Sequence, residues 1–191
     1  RVLGLAENEA GGFTVEAAAA LDPLADRINA ILIGPGMQDE AATARLVHAL
    51  LPRLQGTETS VILDAEAMGA IRHPPSSVNP PFRFGVPVLV TPHAGEMAHL
   101  TGIPKEEIAD GADRIALEAA QRWNAVVALK GARTVIATPQ GERWQHEGGN
   151  IGLATSGSGD VLAGIIAGLA ARGLELQQDR KSTRLNSSHG Y

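Results

Sequence analysis

A glycine-rich turn that runs straight into an apolar helix is the stretch of this chain best suited to hold an anion and act on what carries it. Residues 155–164 read TSGSGDVLAG. Gly157 and Gly159 lack a Cβ, so the backbone there can turn through positive φ and bring N–H groups up to a ligand. The helix that follows offers unpaired first-turn amides and the positive end of its dipole. Asp160 falls in that first turn, where the dipole favours the carboxylate and where it could take a proton from a substrate hydroxyl in the same seat. The same residues also spell an ordinary turn and cap, so this segment alone leaves both readings open. Lys130, one of three lysines in the chain, ends an apolar run and precedes Gly131, where close backbone approach is possible. It reads either as an anion-facing cation or as a surface lysine at a turn.

The elements that must position these residues follow from the change of hydrophobic period along the chain. Apolar runs at 30–33, 61–63, 86–90 and 126–129 predict buried strands, and an opening strand is predicted at 2–5. Between them, Thr14 is placed to cap a helix over 15–21, and Asp39 to cap an amphipathic helix carrying Ala42, Leu46, Ala49, Leu50 and Leu54 on one face. Helices are also predicted over 65–71, 94–100 and 105–123, the last interrupted at Gly111, with a proline-rich loop through residues 73–81. Residues 134–137 and 143–145 flank Pro139-Gln140-Gly141 as a hairpin. This order predicts a doubly wound α/β fold: a mainly parallel sheet, helices on both faces and a late antiparallel edge hairpin. Ligands of such sheets sit beyond the strand C-termini. Gly34-Pro35-Gly36, Asp64, Thr91-Pro92-His93 and Lys130-Gly131 all fall there.

Composition narrows the classes of partner. With 191 residues, 44% of them hydrophobic, the chain can bury a core, and it is expected to form one domain over residues 1–180. A net charge of −5 with 3% aromatic residues gives neither a phosphate-backbone footprint nor a base-stacking platform, so no nucleic acid polymer is expected. The longest apolar run, 161–171, is short for a bilayer span, and residues 1–9 do not read as a signal peptide. A cytoplasmic protein is expected. No cysteine is present, which removes disulfides, thiolate metal sites and a cysteine nucleophile. Residues 181–191, KSTRLNSSHGY, lack apolar periodicity and read as a disordered or non-native tail. There is no Walker-type phosphate loop and no complete G-x-G-x-x-G, so any phosphate must be held another way.

Five segments in order, IGPGM (33–37), LDAEAM (63–68), TPHAGEMAHLTG (91–102), LKGARTVIATPQG (129–141) and GNIGLATSGSGDVLAGIIAGLAARG (149–173), resemble the ADP-dependent NAD(P)H-hydrate dehydratases of the ribokinase-like superfamily. The resemblance implies a ribokinase-like fold and a hydro-lyase that uses ADP, with Mg²⁺, to dehydrate the S form of NADH or NADPH hydrate, yielding AMP and phosphate. By that resemblance Asp160 would be the base and a substrate contact, and Gly36 and His93 would touch the hydrated nucleotide. Lys130, Gly131, Ala132, Arg133, Thr134 and Gly159 would line the ADP/AMP site, and Glu96 would reach Mg²⁺ through water. Gln38, Ile151 and Ser156 depart from the family's usual Gly, Pro and Gly. The resemblance also implies a partial domain, truncated at both ends, whose own turnover is in question; a homo-oligomer stays open. Two rival readings accompany this one: a ribokinase-like kinase of a small alcohol such as a vitamin precursor, and a catalytically silent nucleotide-binding domain.

Overall fold

The structure, a computed structural model, describes residues 2–75, 82–148 and 155–173. Six strands form one sheet in sequential order: β1 (Ala30–Ile33), β2 (Ser60–Leu63), β3 (Val88–Val90), β4 (Val126–Leu129), β5 (Thr134–Ala137) and β6 (Arg143–His146). The first four run parallel, and β5 and β6 add the expected antiparallel edge. The helices that precede β1 or join the parallel strands pack on one face of the sheet. Those helices are α1 (Glu16–Ala20), α2 (Asp22–Ala25), α3 (Glu40–Leu50), α4 (Ala94–Thr101), α5 (Lys105–Asp110) and α6 (Ala112–Trp123). The helix α7 (Ser158–Ala171) lies on the opposite face over β1 and β2, so both faces carry helices as predicted.

Strand alternation divides the apolar residues between the two faces. Val61, Leu63, Val88, Val90, Val127 and Leu129 join the main core with Val47 and Leu50 of α3, Met97 of α4 and Ile115 and Ala119 of α6. Ile62, Leu89 and Val126 point the other way and meet Ile166, Ala167 and Ala170 of α7. The opposite side of α7 presents Val161 (62% exposed) and Ile165 (56%) outward. Among the described residues, no helix is long and apolar enough to cross a membrane.

Several local expectations are corrected. Residues 2–5 form no strand; the nearby pairing is an isolated bridge between Glu7 and Phe13, its turn closed by Asn8, whose Oδ1 accepts from the amides of Ala10 and Gly12. A short apolar run needs a neighbouring strand to satisfy its backbone, and none lies beside this one among the described residues. Thr14 does not cap α1, whose N-cap is Val15 with no side-chain bond. Residues Ala65–Ile71 form a 3-10 helix, as do Leu51–Leu54 after α3. The run at 30–33 gives the expected strand, but only Ile33 is fully buried, because β1 is the outer strand of the described sheet. The tail at 181–191 and Ile151 lie outside the described residues.

Candidate functional site

The parallel strands end together on one rim, and short backbone links hold their ends in register. Asp64 donates its N–H to Ile33 O at 3.0 Å, Thr91 to Leu63 O at 3.3 Å, and Lys130 to Pro92 O at 2.7 Å. His93 and Lys130 form a further parallel bridge beyond β3 and β4. The polar residues that follow apolar strands are thereby brought side by side. Thr91 Oγ1 donates to Asp64 Oδ1 at 2.5 Å, Lys130 Nζ lies 3.1 Å from the same oxygen, and Glu96 Oε2 is 3.8 Å from Nζ.

His93 and Glu96 sit together because they form the start of α4. His93 Nδ1 accepts from the amides of Gly95 (2.9 Å) and Glu96 (3.1 Å), while Glu96 Oε2 accepts from the His93 amide at 2.7 Å, closing a capping box. With Nδ1 accepting, Nε2 is the ring's donor; it lies 3.6 Å from Glu96 Oε2 on the exposed edge of His93. A cleft of about 420 Å³ opens here, lined by Glu40, Glu66, Met68, Gly69, His93 and Glu96 among others. On its outer side Glu40 ties three elements together: Oε2 meets His99 Nε2 at 2.9 Å, and Oε1 meets both Arg72 and His73 at 3.1 Å. Burial pushes the Glu40 carboxyl up, but the hydrogen bonds and charge of His99 and Arg72 outweigh it, and the group stays below the ordinary carboxylate range.

On the β1 side, Gly34 stands at φ +128°, and a Cβ there would overlap the Asp64 carbonyl oxygen, so the β1 turn packs directly on the end of β2. Gly36 (φ +79°) is exposed with open space where a side chain would stand, which suits backbone approach to a ligand. Ala65, a non-glycine residue at φ +46°, turns the chain away immediately after Asp64.

The glycine-rich turn arrives from the other face. Gly157 is the N-cap of α7 at φ +82°, as expected. Gly159 is not: it lies inside the helix and does not take positive φ, which corrects the expectation of a turn glycine there. A Cβ on Gly159 would stand 3.5 Å from Lys130 Nζ, so this residue faces the strand rim. The first helical bond of α7 runs from Val161 N–H to Gly157 O (3.1 Å), and Ser158 N–H is turned to Thr155 O (3.2 Å). Among the described residues, the amides of Gly159 and Asp160 are the ones this geometry leaves for a ligand. Asp160 is exposed in the first turn, at the positive end of the dipole.

The remaining predicted residues are more dispersed. Gly131, Ala132 and Arg133 form the exposed β4–β5 turn and Thr134 opens β5. The Arg133 guanidinium is drawn to Asp113 of α6 at 3.4 Å, and Gln145 donates to the same carboxylate. Lys130, Glu96, His93 and Gly159 therefore meet at one place, while Arg133 is engaged beside it. Two residues expected at the ligand rim but given no role there, Asp64 and Thr91, turn out to be 2% and 1% exposed. The available signal was a polar residue directly after an unbroken apolar strand.

A sequence model of the family described as NAD(P)H-hydrate dehydratase matches residues 5–188. An ADP-dependent (S)-NAD(P)H-hydrate dehydratase of Xanthomonas campestris is 42% identical over 174 residues, covering 91% of this chain and 56% of the relative. A ribokinase-like superfamily protein of Enterococcus faecalis superposes with a TM-score of 0.64 at 31% identity, over 82% of this chain and 52% of that one. An ADP/ATP-dependent NAD(P)H-hydrate dehydratase of Bacillus subtilis, co-crystallised with ATP/Mg²⁺, superposes with a TM-score of 0.63 at 30% identity, over 84% of this chain and 60% of that one. The fold is thus ribokinase-like. The chain spans between 32% and 56% of the length of the first curated relatives it matches.

Proposed function

The chain belongs to the NAD(P)H-hydrate dehydratase family, and from that premise we propose that it carries the ADP-dependent dehydration of the S form of NAD(P)H hydrate. The observation that supports this most is the meeting of Lys130 Nζ with the first turn of α7 at Gly159, one residue before an exposed Asp160. Phosphoryl transfer asks chiefly for positioning and fixed donors, and a lysine facing helix amides supplies both. ADP would lay its diphosphate across the amides of Gly159 and Asp160 with Lys130 on its flank, and the segment from Gly131 to Thr134 would border the nucleotide. Gly36 and the Nε2–H of His93 would face the hydrated nicotinamide nucleotide.

Asp160 takes the proton of the C6 hydroxyl as its oxygen attacks the β-phosphorus of ADP and AMP leaves. Loss of a proton from C5 and of phosphate from C6 then restores the double bond, so hydrate and ADP become NAD(P)H, AMP and phosphate. Among the described residues no three His, Asp or Glu side chains group to cage a metal. Glu96 Oε2 is shared by the His93 amide, the His93 ring and Lys130. Such a donor set fits a hydrated ion carried largely by the nucleotide's phosphates, with Glu96 holding it through water. Bound Mg²⁺ would offset phosphate charge. A cytoplasmic location belongs to the same proposal, since the reduced coenzymes are the substrates' source.

Incubation of the protein with hydrated NADH, ADP and Mg²⁺ tests this. The expected outcome is return of NADH absorbance with one AMP and one phosphate for each NADH. A small-alcohol kinase would instead yield a stable phosphorylated alcohol and no NADH, and a silent nucleotide-binding domain would bind ADP without either product.

A further inference from the structure

We propose that Asp64 is the positioning residue of Lys130: its buried carboxylate fixes the ammonium group against the first turn of α7, and so sets the cation that flanks a diphosphate bound there. The inference rests on the nucleotide reading of the preceding section and adds to it a residue on a different strand. Lysine is a compact charge on a flexible four-carbon stem, and it binds a phosphate well only where something aims it. Here the aim comes from three adjacent strand ends. Asp64 follows β2, Thr91 follows β3 and Lys130 follows β4, and their backbones are tied to the neighbouring strand ends.

The Asp64 side chain is 3% exposed and that of Lys130 is 19% exposed, so the pair runs from the core outward to the rim. A carboxylate at that depth is costly unless it is fully bonded. Its Oδ1 has both the Thr91 hydroxyl at 2.5 Å and Lys130 Nζ at 3.1 Å. The hydroxyl orients the carboxylate, and the carboxylate orients the ammonium. Glu96, at 3.8 Å, is the longer and more exposed contact. With the backbone links at both ends, Nζ is left little choice but the place it occupies, 3.5 Å from where a Cβ of Gly159 would stand. The approach of Gly34 to the Asp64 carbonyl and the left-handed Ala65 after it hold Asp64 at the strand end rather than letting β2 run on.

The test is a double-mutant cycle on the full chain, comparing wild type, Asp64→Asn, Lys130→Met and the double variant by calorimetric titration with ADP and by urea unfolding. Asp64→Asn is expected to weaken ADP binding roughly 5- to 30-fold, the size of a lost charge-assisted contact. In the Lys130→Met background the same change is expected to alter it by less than about twofold, because there is no longer an ammonium to aim. In urea, Lys130→Met should lower the midpoint by stranding a buried carboxylate, and adding Asp64→Asn should recover part of the loss. Should Asp64→Asn not fold, Thr91→Val disorients the carboxylate while keeping its charge, and is expected to give a smaller loss with the same dependence on Lys130. Full ADP affinity in Asp64→Asn while Lys130→Met loses it would overturn the positioning role and leave the nucleotide seat standing. Equal losses in both backgrounds would overturn it too, by showing that Asp64 acts without Lys130. A wild-type chain that does not bind ADP would sink the nucleotide seat, and with it any aim for Lys130, even if the urea midpoints still showed the pair to be coupled.

Discussion

Asp160 is the residue on which the chemistry turns, and its position separates binding from proton transfer. It stands exposed at the third residue of α7, while the groups that flank a phosphate, Lys130 Nζ and the helix amides, come from elsewhere or from backbone. Asp160→Asn should therefore reduce hydrate turnover by about 10²-fold or more while ADP affinity stays within about threefold, checked by NADH recovery and calorimetry. Gly34 makes the opposite kind of prediction. Its φ of +128° and the overlap of any Cβ with the Asp64 carbonyl mean that Gly34→Ala should destabilise by roughly 3–5 kcal/mol in urea, from strained backbone and forced displacement of β2. Gly36→Ala meets open space but keeps a positive φ, so about 1 kcal/mol is expected there. At this scale the sequence was partly legible. Asp160, Lys130 and the rim residues could be found as polar residues at strand ends and a helix start. Whether a glycine serves a turn, as Gly157 does, or clears space before a lysine, as Gly159 does, depends on what the fold brings opposite it.

Elements set how those residues respond to solvent conditions. The α3 helix carries His48, whose Nε2 lies 2.9 Å from the carbonyl of Ala70 in the 3-10 segment and whose ring meets Phe82 edge-on at 5.0 Å. Burial holds this imidazole below its ordinary 6.5, against the pull of its hydrogen bond to the Ala70 carbonyl. The unfolded chain then binds a proton first as pH falls. The stability due to neutral His48 is fully present above 6.5 and is lost as pH drops from 6.5 toward the lowered folded value. Thermal midpoints measured from pH 7 to pH 5 should fall, and His48→Gln, which keeps a donor for Ala70, should flatten part of that fall. The join matters to the site because the 3-10 segment also lines the cleft beside His93 through Met68 and Gly69. Most elements could be read from the hydrophobic pattern alone, since Asp39 caps α3 through its bond from the Ala42 amide, unbroken apolar runs mark β2 to β4 and alternation marks β5. The 3-10 geometry of Ala65–Ile71 could not, because it follows from the left-handed Ala65 and the packing of Gly69 on Glu40.

For the whole molecule, the alternation of strands and helices predicted an α/β sheet with a parallel centre and an antiparallel edge, and the sheet of six strands has that form. Register across strands was not legible in advance. No local pattern tells that Asp64, Thr91 and Lys130 end level with one another, yet that coincidence brings the charged groups to one place. The account's central claim is spatial: a diphosphate lands where α7 meets this rim. Titration of ¹⁵N-labelled protein with ADP, followed by amide resonances, tests it most directly. The account predicts that the shifts concentrate on Gly157 to Val161 and on Lys130 to Thr134, and that Lys130→Met diminishes them. Shifts confined to other surfaces, with the amides of Gly159 and Asp160 unmoved at saturating ADP, would contradict it.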